Sequence, residues 1–167
     1  MTDRFLYTLP TDPVALPLVE QLTDEYQTRY GNYFEEGGAV QEMNRYPAER
    51  FAAPDGAFVL LLRNERPIAG GAFMRYDETT AEFKRVWTDK DFRRQGLAKR
   101  VLVELEEQAI RQGYERVYLT TGYSALFDLE ANPEDIQILA FEKALTASAG
   151  VLAARNSDAQ VALAQGK

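Results

Sequence analysis

The sequence of 167 residues contains no cysteine and no histidine. Without cysteine the chain can form no disulfide, thiolate nucleophile or cysteine-ligated metal site, and it suits a reducing cytosol. Without histidine it lacks the commonest general base near neutral pH, which also excludes a Ser-His-Asp triad and a histidine-bound zinc ion. Any acid–base chemistry would therefore depend on carboxylates, tyrosines, lysines or water.

Long hydrophobic runs are also missing. No apolar run approaches the roughly 20 residues that span a bilayer, and the first four residues show no charged-then-apolar leader. We therefore expect a cytoplasmic protein without membrane association. The length suits one domain with a real core, which we assign to residues 1–145. Residues 146–167, rich in small and polar residues, form a tail that is either a loosely attached helix or disordered.

The formal net charge is −7, which disfavours nucleic acid as a partner. Positive charge is nevertheless concentrated between residues 84 and 100. The members of this basic segment are Lys84, Arg85, Lys90, Arg93, Arg94, Lys99 and Arg100. A local excess of cations in an acidic protein fits a small anionic ligand better than DNA. No metal site is predicted.

Apolar patterns predict a mixed α/β (α+β) fold. The predicted strands are residues 4–9, 57–62, 68–76, 81–88 and 116–121, and helices are expected after residues 12 and 96. The run at 57–62 is apolar throughout, which is typical of a strand buried on both faces. The helix between the last two strands implies that they are parallel. Residues 124–129 fit a strand, and residues 138–145 fit a strand or a helix.

The segment Arg93-Arg94-Gln95-Gly96-Leu97-Ala98 lies between a predicted strand and a predicted long helix. Backbone N–H groups at a helix N-terminus have no partner within the helix, and the helix dipole places partial positive charge there. Gly96 lets the backbone approach a ligand closely, and Arg93 and Arg94 can bind phosphate oxygens in bidentate fashion. The segment therefore predicts a site for a cofactor that carries a diphosphate.

This segment resembles the acetyl-CoA signature of the GCN5-related N-acetyltransferase (GNAT) superfamily, Gln/Arg-x-x-Gly-x-Gly/Ala, through Arg93, Gly96 and Ala98. Residues 81–87, 118–122 and 141–143 also resemble a bacterial branch of the superfamily, and the resemblance covers roughly residues 5–145. It implies a mixed, mostly antiparallel central sheet flanked by helices. It also allows a homodimer through the C-terminal strands.

The resemblance implies transfer of an acetyl group from acetyl-CoA to a primary amine of a small molecule or protein, by direct attack of the amine on the thioester. The pantetheine arm would pair with the backbone of residues 86–88, and the diphosphate would lie on the N–H groups of residues 94–99. The cofactor-binding residues expected on this basis are Val86, Trp87, Thr88, Arg93, Arg94, Gln95, Gly96, Leu97, Ala98 and Lys99.

Two residues are candidates for acid–base catalysis. Glu82 is the candidate general base, because a carboxylate on this strand can point into the cofactor groove; the alternative is a solvent-facing residue paired with a cross-strand lysine. Tyr123 is the candidate acid that protonates the CoA thiolate; the alternative is a packing role. Trp87 and Tyr118 are expected to pack in the core or the groove wall.

The chain departs from the superfamily pattern after the fifth strand. In the enzymes that it resembles, a helix follows this strand and often carries the tyrosine acid. Here Gly122 is followed at once by residues 123–128, which resemble the segment after that helix. We interpret this as loss of the helix; the alternative is a displaced helix over residues 132–145. The departure motivates a second hypothesis, a non-catalytic CoA-binding or protein-interaction module derived from an acetyltransferase.

Overall fold

The computed structural model describes residues 2–30, 40, 43–122 and 138–145. Six strands form one sheet in the order β1-β2-β3-β4-β5-β6. They are β1 (Asp3–Tyr7), β2 (Ala57–Arg63), β3 (Arg66–Arg75), β4 (Thr80–Thr88), β5 (Arg116–Gly122) and β6 (Ile138–Ala144). Only β4 and β5 are parallel, and the other neighbouring strands are antiparallel. The predicted mixed, mostly antiparallel sheet flanked by helices is confirmed.

The helices α1 (Leu16–Tyr30) and α2 (Leu97–Arg111) flank the sheet. A short 3-10 turn precedes α1, and the carboxylate of Asp12 caps it by accepting a hydrogen bond from the Val14 N–H at 3.0 Å. Helix α2 begins after Gly96, as predicted, and joins the parallel strands β4 and β5. Within the described part of the chain, no helix combines the length and apolarity needed to cross a bilayer.

The sheet separates two hydrophobic cores. Alternation along β2 sends Val59 and Leu61 to the α2 side, and Phe58 and Leu60 to the α1 side. All four side chains are buried, which agrees with the prediction of a strand covered on both faces. Burial of each such side chain stabilises the fold by about 1.5–3 kcal/mol.

Adjacent glycines on β3 let both helices approach the sheet closely. An ideal Cβ on Gly70 would lie 2.8 Å from Leu18 Cδ1 of α1, and one on Gly71 would lie 2.9 Å from Leu105 Cδ1 of α2. Such contacts are shorter than real Cβ atoms tolerate. The two glycines therefore allow α1 and α2 to pack directly against β3, the strand next to β4.

The C-terminal part of the sheet resolves one alternative from the sequence. Residues 138–144 form β6, which pairs with β5 in antiparallel register from Arg116↔Ala144 to Gly122↔Ile138. The alternative of a helix over residues 132–145 is therefore wrong, because the backbone groups of residues 138–144 complete the sheet instead. The interpretations of residues 124–129 as a strand, of a lost helix after Gly122, and of residues 146–167 as a tail lie outside the described residues.

Candidate active site

Strands β4 and β5 diverge part of the way along the sheet. Their parallel pairing runs from Thr80↔Arg116 to Phe83↔Leu119, although β4 continues to Thr88 and β5 to Gly122. Across the described ranges, the β5-facing edge of residues 84–88 has no strand partner. Unpaired backbone groups on this edge can accept an extended ligand in place of a strand.

A β-bulge in β4 accompanies the divergence. The register against β3 shifts between Gly70 and Ala72, which oppose Trp87 and Lys84, so β4 contains one extra residue. Arg85 lies in this extra stretch with φ of 61°, a left-handed conformation that is uncommon outside glycine. Its side chain is buried, and its Nη2 lies 3.5 Å from the carbonyl oxygen of Met43. The bulge bends β4 next to the point where its pairing with β5 ends.

The turn between β4 and α2 presents a row of backbone donors. Arg94 and Gly96 adopt left-handed φ values of 64° and 72°, and helical backbone begins at Leu97. No protein acceptor in the described ranges receives the N–H groups of residues 94–99, and no side chain caps the helix. The space in front of Gly96 is open, since a Cβ there would meet no atom within 4 Å. We call residues 94–99 the amide cradle; backbone N–H groups without partners at the start of a helix suit an anion.

The side chains of the predicted phosphate-binding segment have different partners. Arg93 forms an ion pair with Glu25 of α1. Gln95 accepts a hydrogen bond from Arg63 Nη1 at 3.0 Å. Arg94 and Lys99 are exposed and, within the described part of the structure, have no carboxylate partner. Arg94 and Lys99 therefore keep their charge within the cradle segment itself, whereas Arg93 is engaged by α1.

A buried aspartate supports the segment that leads into the cradle. Asp89 follows β4 and is 3% exposed. Its carboxylate accepts hydrogen bonds from the Asp91 N–H at 2.9 Å and from Gln21 Nε2 at 3.1 Å, and Arg66 Nη2 lies 3.7 Å away. The same Gln21 accepts from Trp87 Nε1 at 3.0 Å. These bonds fasten the end of β4 to α1.

The three β4 residues expected to contact pantetheine precede the cradle. Trp87 is buried in the α1-side core. Val86 and Thr88 flank it and are half-buried. Leu97 is buried in the α2-side core and Ala98 is half-buried, so these first helical residues offer their backbone to the cradle rather than polar side chains.

Glu82 lies on β4 one residue before the last rung that β4 shares with β5. Its register partners are Met74 on β3 and Tyr118 on β5. The carboxylate is mostly buried and lies 3.4 Å from Lys84 Nζ, so its lysine partner is on the same strand and not across from it. Tyr118 stacks on Tyr76 with ring centroids 4.8 Å apart. Glu82 is thus bordered by an ammonium group and an aromatic pair.

Several residues that shape this site were not predicted from the sequence. Gln21, Glu25, Arg63 and Asp89 contact the cradle segment or its support, and most of these contacts join residues more than 30 positions apart. No local pattern marks such pairs. Tyr123, the candidate acid, lies outside the described residues.

Comparison with known proteins shows the family of this chain. The Acetyltransferase (GNAT) family model matches residues 19–127. The Bacillus subtilis (strain 168) protein named "Uncharacterized N-acetyltransferase YsnE" is 32% identical over 80 residues, which are 48% of this chain and 53% of that protein. The chain thus spans about half the length of this curated relative. The family match extends over more than half of the chain, and the protein belongs to the GNAT acetyltransferase family.

Solved structures show the same fold. An acetyltransferase of the GNAT family from Staphylococcus aureus Mu50 is similar with a TM-score of 0.60 and 14% identity, over 87% of this chain and 100% of that one. The PaiA N-acetyltransferase from Thermoplasma acidophilum, solved in complex with coenzyme A, is similar with a TM-score of 0.59 and 15% identity, over 86% and 99% of the two chains.

Proposed function

We propose that the protein is an acetyl-CoA-dependent N-acetyltransferase that acts on a primary amine of a small molecule or protein. The observation that carries the proposal is the amide cradle directly beside the unpaired edge of β4. One feature suits an anionic diphosphate and the other an extended arm that bears amide groups. A ligand with both parts joined end to end has the chemistry of coenzyme A, with which the Thermoplasma PaiA structure was solved.

The cradle supplies donors for the diphosphate. The N–H groups of residues 94–99 lack protein acceptors in the described ranges, and Arg94 and Lys99 add positive charge beside them. Charge-assisted hydrogen bonds to phosphate oxygens are roughly twice as strong as neutral ones. The absence of a Cβ at Gly96 keeps the approach open. This chemistry fits the residues present.

The unpaired edge of β4 positions the thioester end of acetyl-CoA. Backbone groups of residues 86–88 would pair with the pantetheine amides as a neighbouring strand would. Acetyl-CoA supplies an activated acetyl thioester, and this chain holds it beside the divergence of β4 and β5. Holding two reactants in one geometry is a large part of catalysis in such transfers.

Glu82 is the carboxylate that we assign as the general base. It lies one rung before the divergence, where an amine that approaches from the α1 side would pass. A carboxylate can accept the proton that the amine loses, directly or through one water molecule. Tyr123 remains our proposed acid for the departing thiolate.

The test combines binding and turnover. Thermal unfolding with and without CoA should show a raised midpoint, because a ligand that binds only the native state stabilises it. Incubation with acetyl-CoA and a panel of primary amines should release free thiol. Absence of any shift at millimolar CoA would overturn the proposal. A shift without turnover on any amine would instead favour the non-catalytic CoA-binding module.

Location and assembly are part of the same proposal. The lack of cysteine suits a reducing compartment, and we place the protein in the cytoplasm. We also propose a homodimer through the C-terminal strands, on the basis of the resemblance to the family. Light scattering coupled to size-exclusion chromatography would measure the mass, and a monomer at micromolar concentration would contradict the dimer.

A further inference from the structure

Arg63 uses all three nitrogens of its guanidinium group. It lies at the end of β2 directly opposite Asp3 of β1. Nε donates to Asp3 Oδ1 at 2.9 Å and Nη2 donates to Oδ2 at 3.0 Å, a bidentate pair. The remaining nitrogen, Nη1, donates to Gln95 Oε1 in the cradle at 3.0 Å. The planar group therefore bridges the edge of the sheet and the turn before α2.

Arg100 joins the same carboxylate to the first turn of α2. Its Nη1 donates to Asp3 Oδ2 at 2.8 Å. The side chains of Arg63 and Asp3 are only 15% and 18% exposed, whereas that of Arg100 is 43% exposed. Asp3 thus receives three donors and holds the strand end, the turn and the start of the helix in one network.

Gln95 is the residue of the cradle that most needs such support. It is exposed and lies between Arg94 and Gly96, both of which have left-handed backbone. For Arg94 this conformation is intrinsically unfavourable, so competing conformations of the turn are accessible unless contacts select this one. Among the described residues, the partner of the Gln95 side chain is Arg63, which donates one hydrogen bond to it. On the other side of the turn, Arg93 is held by Glu25.

We propose that Arg63 is a positioning residue for the cofactor: held by Asp3, it fixes Gln95 and thereby keeps the neighbouring N–H groups of the cradle aimed at the diphosphate. This inference rests on the proposed function. A cradle ordered before the ligand arrives does not lose that conformational freedom on binding, and preorganisation of this kind raises affinity. Arg63 needs no contact with the ligand for this role.

Substitutions of Arg63 can distinguish the effect of its side-chain geometry on CoA binding from the effect of its charge. Asp3 is shared by Arg63 and Arg100, so the three side chains together keep one net positive charge, which Arg63→Met removes. Lysine at position 63 would keep the positive charge and a bond to Asp3, but its single nitrogen cannot reproduce the flat three-pronged arrangement. Arg63→Lys and Arg63→Met should therefore behave alike if geometry is what matters.

Arg4→Met provides a matched control. Arg4 lies next to Asp3 on β1 and also forms a bidentate pair, with Glu65 at 2.9 and 2.7 Å. Among the described residues, it forms no hydrogen bond or ion pair with the cradle. All three variants and the wild type would be compared in two measurements. Calorimetric titration gives the CoA dissociation constant, and hydrogen–deuterium exchange of peptides that cover residues 93–99 reports on the ligand-free turn.

We expect both Arg63 variants to bind CoA about tenfold more weakly, since ordering one residue corresponds to roughly that factor. Their 93–99 peptides should exchange faster, while Arg4→Met stays within about twofold of wild type in affinity. Arg63 variants that match Arg4→Met in both measurements would overturn the proposal, and so would full recovery in Arg63→Lys. If Arg63→Met does not fold, Arg63→Lys carries the comparison. A wild type that fails to bind CoA would overturn the proposed function, whereas the exchange comparison would still decide whether Arg63 orders the turn.

Discussion

Phe83 and Leu119 form the last rung of the parallel pairing between β4 and β5. Two residues later, Arg85 adopts a left-handed conformation and inserts one extra residue into β4. A bulge bends its strand and increases the local twist. The bulge therefore lies where β4 and β5 separate, between their last shared rung and the amide cradle that follows β4.

Arg94 separates the contribution of side-chain charge from that of backbone conformation. Arg94→Ala should weaken CoA binding about tenfold, because it removes a charge-assisted donor beside the cradle. Arg94→Gly removes the same donor but relieves the left-handed strain, so it should bind as weakly while unfolding at a higher temperature than Arg94→Ala.

Arg75→Ala is the control for Arg94, since Arg75 pairs with Asp55 at the far end of β3. Calorimetric titration with CoA measures all three variants. Affinities of Arg94→Ala and Arg94→Gly equal to that of Arg75→Ala would refute the role of Arg94.

Gly96 and Gly113 form a matched pair at the two ends of α2. Both have positive φ, 72° and 94°, and a Cβ at either position would meet no atom within 4 Å. Alanine at each site should destabilise the protein by about 1 kcal/mol through backbone strain alone. Only Gly96→Ala should also weaken CoA binding, because its methyl group enters the space before the cradle; Gly96→Asp should weaken it further. Equal CoA affinities for Gly96→Ala and Gly113→Ala would show that the space before Gly96 is not used.

Much of the fold could be predicted from local patterns. The predicted strand at 57–62 and the predicted helix after Gly96 both correspond to observed elements. Each of these elements was predicted from residues that lie close together in the sequence. The bulge at Arg85 had no such signal, because it depends on the register that β4 adopts against β3. Residues 138–144 were ambiguous for the same reason, since their pairing with β5 decides between strand and helix.

The site was predictable in its backbone and less so in its side chains. A glycine between a strand and a helix predicted N–H groups without partners, and the structure gives those of residues 94–99 no acceptor in the described ranges. That these groups bind a diphosphate stays a prediction. The sequence could not show that Glu25 engages Arg93 or that Arg63 holds Gln95. These partners are distant in the chain, and only the packing of α1 and β2 against the turn brings them together.

Gly71 should be intolerant of any side chain. A Cβ there would lie 2.9 Å from Leu105 Cδ1 and 3.1 Å from Val101 Cγ1, both buried on α2. Gly71→Ala should destabilise the protein by about 1–3 kcal/mol through overpacking. Gly70→Ala should cost more, because one of its neighbours at 2.8 Å is the Val59 carbonyl oxygen, which cannot rotate away. Urea unfolding measures both variants, and wild-type stability in either would contradict this account of helix packing.

Asp3 should make stability depend on pH in the acidic range. Hydrogen bonds donated by Arg63 and then by Arg100 hold the pKa of its carboxyl well below the usual range. Because the folded-state pKa is depressed, the stabilisation is complete above the unfolded pKa of about 3.9 and is lost as the pH falls. The difference in unfolding free energy between wild type and Asp3→Asn should therefore shrink between about pH 5 and pH 2.

Arg63→Met tests the cause of that pH dependence. With Arg63 removed, the Asp3 carboxylate loses the partner that lowers its pKa most. The difference in unfolding free energy between Arg63→Met and the double variant Arg63→Met/Asp3→Asn should therefore vary much less with pH. Urea unfolding at a series of pH values measures both pairs. A difference between wild type and Asp3→Asn that stays constant as the pH falls would contradict the assignment.

Glu82 is the residue on which the catalytic part of the proposal depends. Glu82→Gln keeps the shape and removes the proton acceptor, so kcat for the best amine should fall about 10²–10⁴-fold, while CoA affinity stays near that of wild type. Glu142→Gln is the control. Glu142 on β6 lies opposite Tyr118, which is also the register partner of Glu82, and it pairs with Arg116 at 3.3 Å. The control variant should leave kcat within a few-fold of wild type. If Glu82→Gln retained wild-type kcat, the amine would lose its proton elsewhere, and Glu82 would serve only as the partner of Lys84.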